Sequence, residues 1–303
     1  MKTTKSVARG HIAMVGANVC WGLMSPVAKI VLSVGVISPL LLTDMRVAGA
    51  AILFWLTSLF CPREHVPPRD LFLMAGAAMI GILFNQGCFI FGVGLTSPAE
   101  ASVITTTMPL WVMLLAALIL KEPITLKKAG GIAVGATGAL ILIFGATGRG
   151  SATAVNPVLG DLLVFAAQFS YALYLTLYRN FIRRYSMVTL MKWMFTFAAL
   201  VALPFSISDI SATSWRSVDM STWLGVGFVV VFGTYIAYQC ILIGQKVLRP
   251  TVVGMYNYLQ PVVAAVVAVT IGMEQFTWSK VLAVALIFSG VYLVVTSKAR
   301  KDS

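Results

Sequence analysis

The sequence predicts an all-α integral membrane protein of ten transmembrane helices, arranged as two inverted five-helix repeats. Three observations carry that expectation. Of the 303 residues, 59% are hydrophobic and only 11% are charged, whereas a soluble domain has roughly 45–50% apolar and about 25% charged residues. Ten apolar stretches are each long enough to cross a hydrocarbon core, which needs about 20 residues. Finally, a long segment of the second half repeats one in the first at constant spacing. The apolar excess excludes an ordinary soluble enzyme and a disordered chain.

In order, the stretches are about 11–33, 37–60, 70–93, 97–119, 126–146, 158–180, 187–208, 221–243, 249–271 and 279–297. The connections between them are short, which leaves no room for a soluble domain. The basic start (Lys2, Lys5, Arg9) resembles the n-region of a signal peptide. The apolar run behind it is too long for an h-region and lacks a small-residue cleavage site, so it reads as the first span. Cys20, Cys61, Cys88 and Cys240 fall in or at the ends of spans and read as packing residues. No Cys/His cluster has metal-ligand spacing, and no nucleophile elbow, P-loop or zincin motif appears. The expectation is therefore no cofactor, no metal and no catalytic constellation.

The charge of +12 is a topology signal rather than a nucleic-acid footprint. If the N-terminus is cytoplasmic, sixteen Lys and Arg residues fall on cytoplasmic segments and three (Arg149, Arg216, Lys280) on the other side. Lys29, Arg46 and Lys192 remain inside spans. That asymmetry follows the positive-inside rule and places both termini in the cytoplasm.

Residues 81–138 align with 233–290 at a constant offset of 152. The pairs include Gly81/Gly233, Cys88/Cys240, Gly92/Gly244, Pro98/Pro250, Pro109/Pro261, Glu122/Glu274, Thr125/Thr277 and Gly138/Gly290. The earlier parts align more weakly at an offset near 150, with Gly10/Gly160 and Ala17/Ala167. This divides the chain into repeats 1–146 and 147–303. Five spans per repeat is an odd number, so the second repeat enters the membrane from the opposite side. Inverted repeats are characteristic of alternating-access carriers with a midplane site. Simple duplication of a packing unit, as in some channels, is the alternative.

The segments "PLWVMLLAALILKEPITLKKAGGIAVGATGALILI" and "PVVAAVVAVTIGMEQFTWSKVLAVALIFSGVYLV" resemble the end of the EamA repeat of the drug/metabolite transporter superfamily. The shared pattern is a proline in the fourth helix, an acidic residue at its end, a threonine opening the fifth helix, then small residues. The second copy departs from it, with Met273-Glu274-Gln275-Phe276 in place of Lys121-Glu122-Pro123-Ile124. The resemblance implies ten helices, cytoplasmic termini and export of a small metabolite or drug.

Candidate solute contacts are the polar residues inside the spans. Pro109 and Pro261 lack an N–H and should kink spans four and nine, freeing the carbonyls of Thr105 and Asn257. Asn257 and Gln260 are candidate cavity-lining residues. Asn18, Trp21 and Ser25 form one helical stripe, matched near offset 150 by Gln168, Tyr171 and Leu175. A mid-membrane amide facing lipid is unfavourable, so these stripes should face inward. Spans three and eight add Asn85, Gln86, Tyr235, Tyr238 and Gln239. Packing is the plain alternative for any single aromatic. Together the residues suggest a hydrogen-bonding pocket with aromatic walls, suited to amino-acid-like or nucleobase-like solutes.

Ionisable groups within spans are functional candidates. Lys29 and Lys192 lie near span ends and can snorkel. Asp44 is placed to pair with Lys29 across the first hairpin. Arg46 lies about 14 Å along span two by the helical rise, where charge costs roughly 2.5–3.5 kcal/mol on a translocon scale. A substrate-carboxylate contact and a structural ion pair both fit it. Glu100 follows Ser97-Pro98 and reads as part of a capping box. Glu122 and Glu274 should organise turns in which Thr125 and Thr277 are N-caps. Spans five and ten, rich in small residues, read as scaffolding or a dimer surface.

The resulting expectation is a bacterial inner-membrane secondary transporter that exports a small, amino-acid-like metabolite by alternating access. Its partners would be the solute and the lipid bilayer, with no nucleic acid, and a homodimer formed through the small-residue faces. Rival readings are a multidrug, quaternary-ammonium or nucleobase exporter of the same fold, a channel, or a membrane enzyme. The binding residues would be Asn18, Trp21, Arg46, Gln86, Tyr171, Tyr238, Asn257 and Gln260.

Overall fold

A computed structural model describes residues 4–95, 104–146, 156–270 and 277–297. Among the described residues every regular element is helical. That follows from the composition, because a backbone in hydrocarbon must satisfy its hydrogen bonds within its own segment. The first half holds α1 (Thr4–Ser33), α2 (Pro39–Ser58), α3 (Pro68–Ala78), α4 (Asn85–Leu95), α5 (Met108–Leu120) and α6 (Leu126–Ala146). The second holds α7 (Pro157–Leu177), short α8 (Arg179–Ile182), α9 (Met187–Ala212), α10 (Met220–Val230), α11 (Ala237–Val247), α12 (Pro250–Met255), α13 (Leu259–Thr270) and α14 (Trp278–Val295). By length and composition, Pro39–Ser58, Pro68–Phe89, Val158–Leu177, Met187–Ala212 and Met220–Val247 are each long and apolar enough to cross a membrane. Met108–Leu120 and Val281–Val295 are shorter apolar helices.

Local sequence sets several helix starts. Ser38, Asn156 and Ser186 each accept a hydrogen bond from the backbone N–H three residues on, and Pro39 and Pro157 open their helices where no N–H is needed. In the same way Lys128 N–H donates to Thr125 Oγ1 at 3.2 Å. Thr277 does not repeat this: its side chain makes no cap bond and its hydroxyl pairs with Ser279 instead.

Two features were not anticipated. α3 runs into α4 through a π-helical segment, Met79–Phe84, and α10 runs into α11 through a second, Val231–Ile236. These segments are separated by the same 152 residues as the sequence repeat. A π turn holds one residue more than an α turn, so backbone carbonyls lose their regular donors. In each case the first long helix of the other half supplies one. Ser170 Oγ on α7 donates to Ile80 O at 2.6 Å, and Trp21 Nε1 on α1 donates to Gly233 O at 3.0 Å.

Close packing follows the same exchange. A Cβ on Gly81 would meet the Tyr174 ring at 2.6 Å, and one on Gly233 would meet Met24 Sδ at 2.6 Å. Gly92 lies against Gly160 and Val164, whereas Gly244 lies against Gly10 and Met14. α6 and α14 pack on each other in antiparallel register. Gly131 faces Gly290, and Gly138 faces Ala283, so closely that a Cβ on Gly290 would lie 2.5 Å from Gly131 O. Only glycine permits that approach. Gly131, Gly135 and Gly138 are thus buried against α14 or the broken segment before α13 of the same chain.

The prolines of spans four and nine start helices rather than bending them midway. Thr106 and Thr107 form a turn, and Pro109 sits in the first turn of α5. A 3₁₀ turn at Tyr256–Tyr258 precedes α13, placing Pro261 in its first turn. A proline there sacrifices no intrahelical bond, which is why the break falls just before it. The Tyr258 hydroxyl donates to Thr106 O at 3.0 Å, joining the two broken segments. The expected roles of Glu100 and Glu274 concern positions outside the described residues, as does the side chain of Lys29.

Candidate functional site

Three of the candidate residues, Arg46, Gln86 and Tyr238, line one cavity, and a fourth, Trp21, packs against Tyr238. α2 presents Arg46, whose Nε donates to Thr234 Oγ1 in the second π segment at 3.1 Å. Thr234 in turn donates to Val229 O at 2.9 Å. From α4, Gln86 Nε2 donates to the Tyr238 hydroxyl of α11 at 3.3 Å. These two residues are equivalent at offset 152, so equivalent positions of the halves touch here. Trp21 packs edge-on against Tyr238 with ring centroids 5.9 Å apart, and Phe195 of α9 does the same at 5.0 Å. Thr43, Arg46, Val47, Ile82, Gln86, Phe195, Thr234 and Tyr238 line the cavity, which leaves about 10 Å³ for a water-sized occupant. That is room for about one water molecule.

An amide chain adjoins the cavity along α1. Asn18 is fully buried; its Nδ2 donates to Met14 O at 2.8 Å and its Oδ1 accepts from Gln260 Nε2 at 3.1 Å. Gln260 also donates to Asn257 Oδ1 at 3.4 Å, and Asn257 Nδ2 lies 3.3 Å from Met108 Sδ. The broken segment of the second half is therefore tied both to α1 and to the start of α5. Tyr171 is buried, and its hydroxyl makes no geometrically well-formed hydrogen bond among the described residues. Its ring begins an aromatic series along α7 and α8: Tyr171, Tyr174, Tyr178, Phe181, Tyr185, with successive centroids 5.9, 6.1, 6.2 and 5.7 Å apart.

Several participants escaped sequence reasoning. Thr234 gave no signal, because only the π segment turns it toward Arg46. Tyr174 and Gln245 did carry a periodic one, at three residues from Tyr171 and seven from Tyr238. The Tyr174 hydroxyl donates to Gln245 Oε1 at 3.4 Å, and Gln245 Nε2 is buried without a partner. Asp44 faces Ser206 of α9, which bonds its Oδ2; the side chain of Lys29, its expected partner, lies outside the described residues. Lys192 lies over the Trp55 ring, 4.6 Å from its centroid, a cation–π contact.

One end of the bundle holds an ionic cluster well beyond the turn role expected of Glu122. Buried Glu122 pairs with Lys128 and Arg179, both at 3.2 Å, and accepts from Thr251 Oγ1 at 3.2 Å. Nearby, Tyr185 donates to Asp70, and this hydrogen bond holds its phenol up at about 12. Glu64 accepts the Ser186 N–H at 3.0 and 3.1 Å. Burial pushes its carboxyl up, but hydrogen bonds from Thr189 and Ser186 and the nearby Lys246 outweigh that and leave it below the usual range. On the outside of the bundle an open apolar groove of about 490 Å³ lies between α2 and α9, lined by residues such as Ile52, Trp55, Leu56 and Leu200. It lacks the converging polar groups that a solute site needs.

An all-helical chain with several helices long and apolar enough to cross a membrane belongs to the class of polytopic membrane proteins. Residues 8–144 and again 158–296 match the EamA-like transporter family, and the chain belongs to that family. Similar proteins include the inner membrane transporter YedA of Escherichia coli K12, 26% identical over 94% of this chain and 90% of its own length. The transporter YetK of Bacillus subtilis is 24% identical over 81% of this chain and 75% of its own. The WAT1-related protein At5g13670 of Arabidopsis thaliana is 23% identical over 97% and 85%. A crystal structure sharing 21% identity superposes with a TM-score of 0.78 over 95% of this chain and 98% of that one, so the two folds agree.

Proposed function

We propose that this transporter is a ten-span carrier built of two inverted five-helix repeats, 1–146 and 147–303. In this reading it exports a small, carboxylate-bearing, amino-acid-like solute across the inner membrane by alternating access, with both termini cytoplasmic. The reading is supported by the reciprocal contacts. Equivalent helices α6 and α14 pack antiparallel, with Gly131 on Gly290 and Gly138 on Ala283. Offset 152 pairs Gly131 with Ala283 and Gly138 with Gly290, so exchanging the halves exchanges the two contacts. A two-fold axis produces such isologous contacts, and antiparallel equivalents need that axis perpendicular to the helices, hence in the membrane plane.

The observation that carries the solute assignment is Arg46. It sits near mid-span in the cavity between the halves, donates to a hydroxyl, and has no carboxylate partner among the described residues. A guanidinium so placed is completed by an anionic group on the solute. The same charge opposes a quaternary-ammonium cargo. Asn18, Asn257 and Gln260 would read the polar part of the solute, and Trp21, Tyr171, Gln86 and Tyr238 would form its walls. The aromatic series from Tyr171 to Tyr185 would line the approach from the end bearing Glu64 and Glu122, which the charge distribution makes cytoplasmic.

The test is flux and counterflow in proteoliposomes against a panel of amino acids, other carboxylates and nucleobases. Arg46→Ala is expected to lower carboxylate transport roughly 30- to 4000-fold, as truncating one partner of a buried charged contact costs about 2–5 kcal/mol. Asn257→Ala should alter selectivity within the panel. Unsaturable flux, or carboxylate transport unchanged by both substitutions, would refute the assignment.

A further inference from the structure

The groove on the outside of the bundle has no part in the solute path, yet its two ends and its floor differ in chemistry. Small buried side chains on the facing sides of α2 and α9, Ala51 and Ala199, set its base, and the large exposed side chains of Ile52, Leu56 and Leu200 stand around them. Along α2 the lining runs from Ala48, midway along the helix, to Leu59 just past its end. Eleven residues at the helical rise make ~16 Å, about half of a hydrocarbon core of roughly 30 Å. The groove is therefore as long as the apolar part of a single leaflet. The hydroxyl within it, Thr196 Oγ1, is already engaged: it accepts from Trp55 Nε1 at 2.9 Å and donates to Lys192 O at 2.6 Å. What fills such a groove is apolar and slender, as an acyl chain is.

One end carries a charge. Lys192 Nζ lies 4.6 Å from the centroid of the Trp55 ring, and Trp55 packs edge-on against Trp193 at 5.3 Å. Indoles gather at the depth where acyl chains meet headgroups. Lys192 is five residues inside α9, ~8 Å from its start, and its stem can carry the ammonium to that depth. Among the described residues no carboxylate pairs with it. The Trp55 ring engages one side of an ammonium that has three N–H donors, which leaves the other side for an anion at the end of the groove. In a zwitterionic headgroup the phosphate is offset by the lipid's own amine. In phosphatidylglycerol it is not, so that headgroup complements an unpaired lysine better.

We propose that the groove between α2 and α9 is a binding site for an anionic phospholipid, with one acyl chain along residues 48–59 and the phosphate on Lys192. The site does not depend on the solute or on the direction of transport. On their other sides the same two helices present Arg46 and Phe195 to the polar cavity, so the bound lipid supports from behind two of the helices that line it.

Tryptophan quenching tests the site in the full-length protein reconstituted in phosphatidylcholine vesicles. The minority lipid is phosphatidylglycerol or phosphatidylcholine brominated on its acyl chains, and the groove signal is the quenched fluorescence that Trp55→Phe lacks. Brominated phosphatidylglycerol is expected to quench it with about fivefold higher apparent affinity than brominated phosphatidylcholine, the gain that one basic residue gives near a membrane surface. Lys192→Gln should bring the two lipids level, and Lys192→Arg should retain most of the preference. Arg216→Gln, in the turn beyond the other end of α9, should leave it unchanged. Equal quenching by the two lipids in the wild type, or a preference that survives in Lys192→Gln, overturns the proposal. So does its loss in Lys192→Arg, which keeps the charge, or in Arg216→Gln, which alters net charge away from the groove. If neither lipid quenches Trp55, protein such as a second copy of this chain covers the groove, and the lipid site falls.

Discussion

The two halves of the molecule share their skeleton and diverge where they meet. Both have a π segment at matching positions, a glycine under the opposite half's first long helix, and a helix break just before a proline. The side chains around the cavity do not match. At offset 152 Gln86 answers to Tyr238, Ile82 to Thr234, Thr105 to Asn257 and Met108 to Gln260. Glycines, prolines and π turns are geometric devices whose loss would disturb helix packing, so the duplicated skeleton keeps them in both copies. A solute is not two-fold symmetric, and a pocket on a two-fold axis can recognise it only if the halves place different groups around it. On the function proposed above, the matched parts would bear the architecture and the unmatched parts would bear recognition.

Substitutions can break or sharpen this contrast. The largest effect is expected at Glu122, which belongs to the first half but binds Arg179 and Thr251 of the second. Glu122→Gln leaves buried Lys128 without its counter-charge and should cost about 3–5 kcal/mol, seen as a lowered thermal midpoint. Next comes the skeleton. Gly290→Ala places a Cβ within 2.6 Å of Gly135 N and 2.5 Å of Gly131 O, and should cost about 1–3 kcal/mol or more through overpacking. Gly227→Ala, with nothing within 4 Å, is the control and should be neutral or stabilising.

Smaller and deliberately paired are Ser170→Ala and Trp21→Phe. Each removes the donor to one π segment's carbonyl, and each should cost about 1–3 kcal/mol because that carbonyl is left buried. If the segments are equivalent parts of one architecture, the two losses should be similar. Unequal losses would show that one segment serves recognition as well. The smallest effect concerns Glu64, whose carboxyl titrates below its ordinary value in the fold. A depressed folded pKa stabilises above the unfolded value of about 4.3 and is lost as pH falls through the folded value. Thermal midpoints of Glu64→Gln and the wild type should therefore differ slightly at neutral pH and converge in acid.

Much of this was legible beforehand. The apolar lengths placed α2, α6, α9 and α14 within a few residues, because a helix in lipid must be apolar over a fixed distance. The offset of 152 foretold which glycines and prolines would be matched. The candidates Arg46, Gln86, Tyr238 and Trp21 did converge, because polar groups in spans have only the interior to face. The same reasoning erred where partners are remote in sequence. Glu122 was read as a local turn residue but binds Arg179 and Thr251 of the second half.

What the sequence determined by itself, then, is an apolar, all-helical chain, the offset of 152 that recurs within it and the small polar inventory in its apolar stretches. Each of these is a property of composition and period along one chain. Only the tertiary structure decided which carbonyls the π segments release, that Thr234 rather than a carboxylate meets Arg46, and that the glycine stripe closes within the chain. A single inserted residue in a helical turn rotates everything beyond it by about 100°, and no periodicity that assumes regular helices can anticipate which face then points inward.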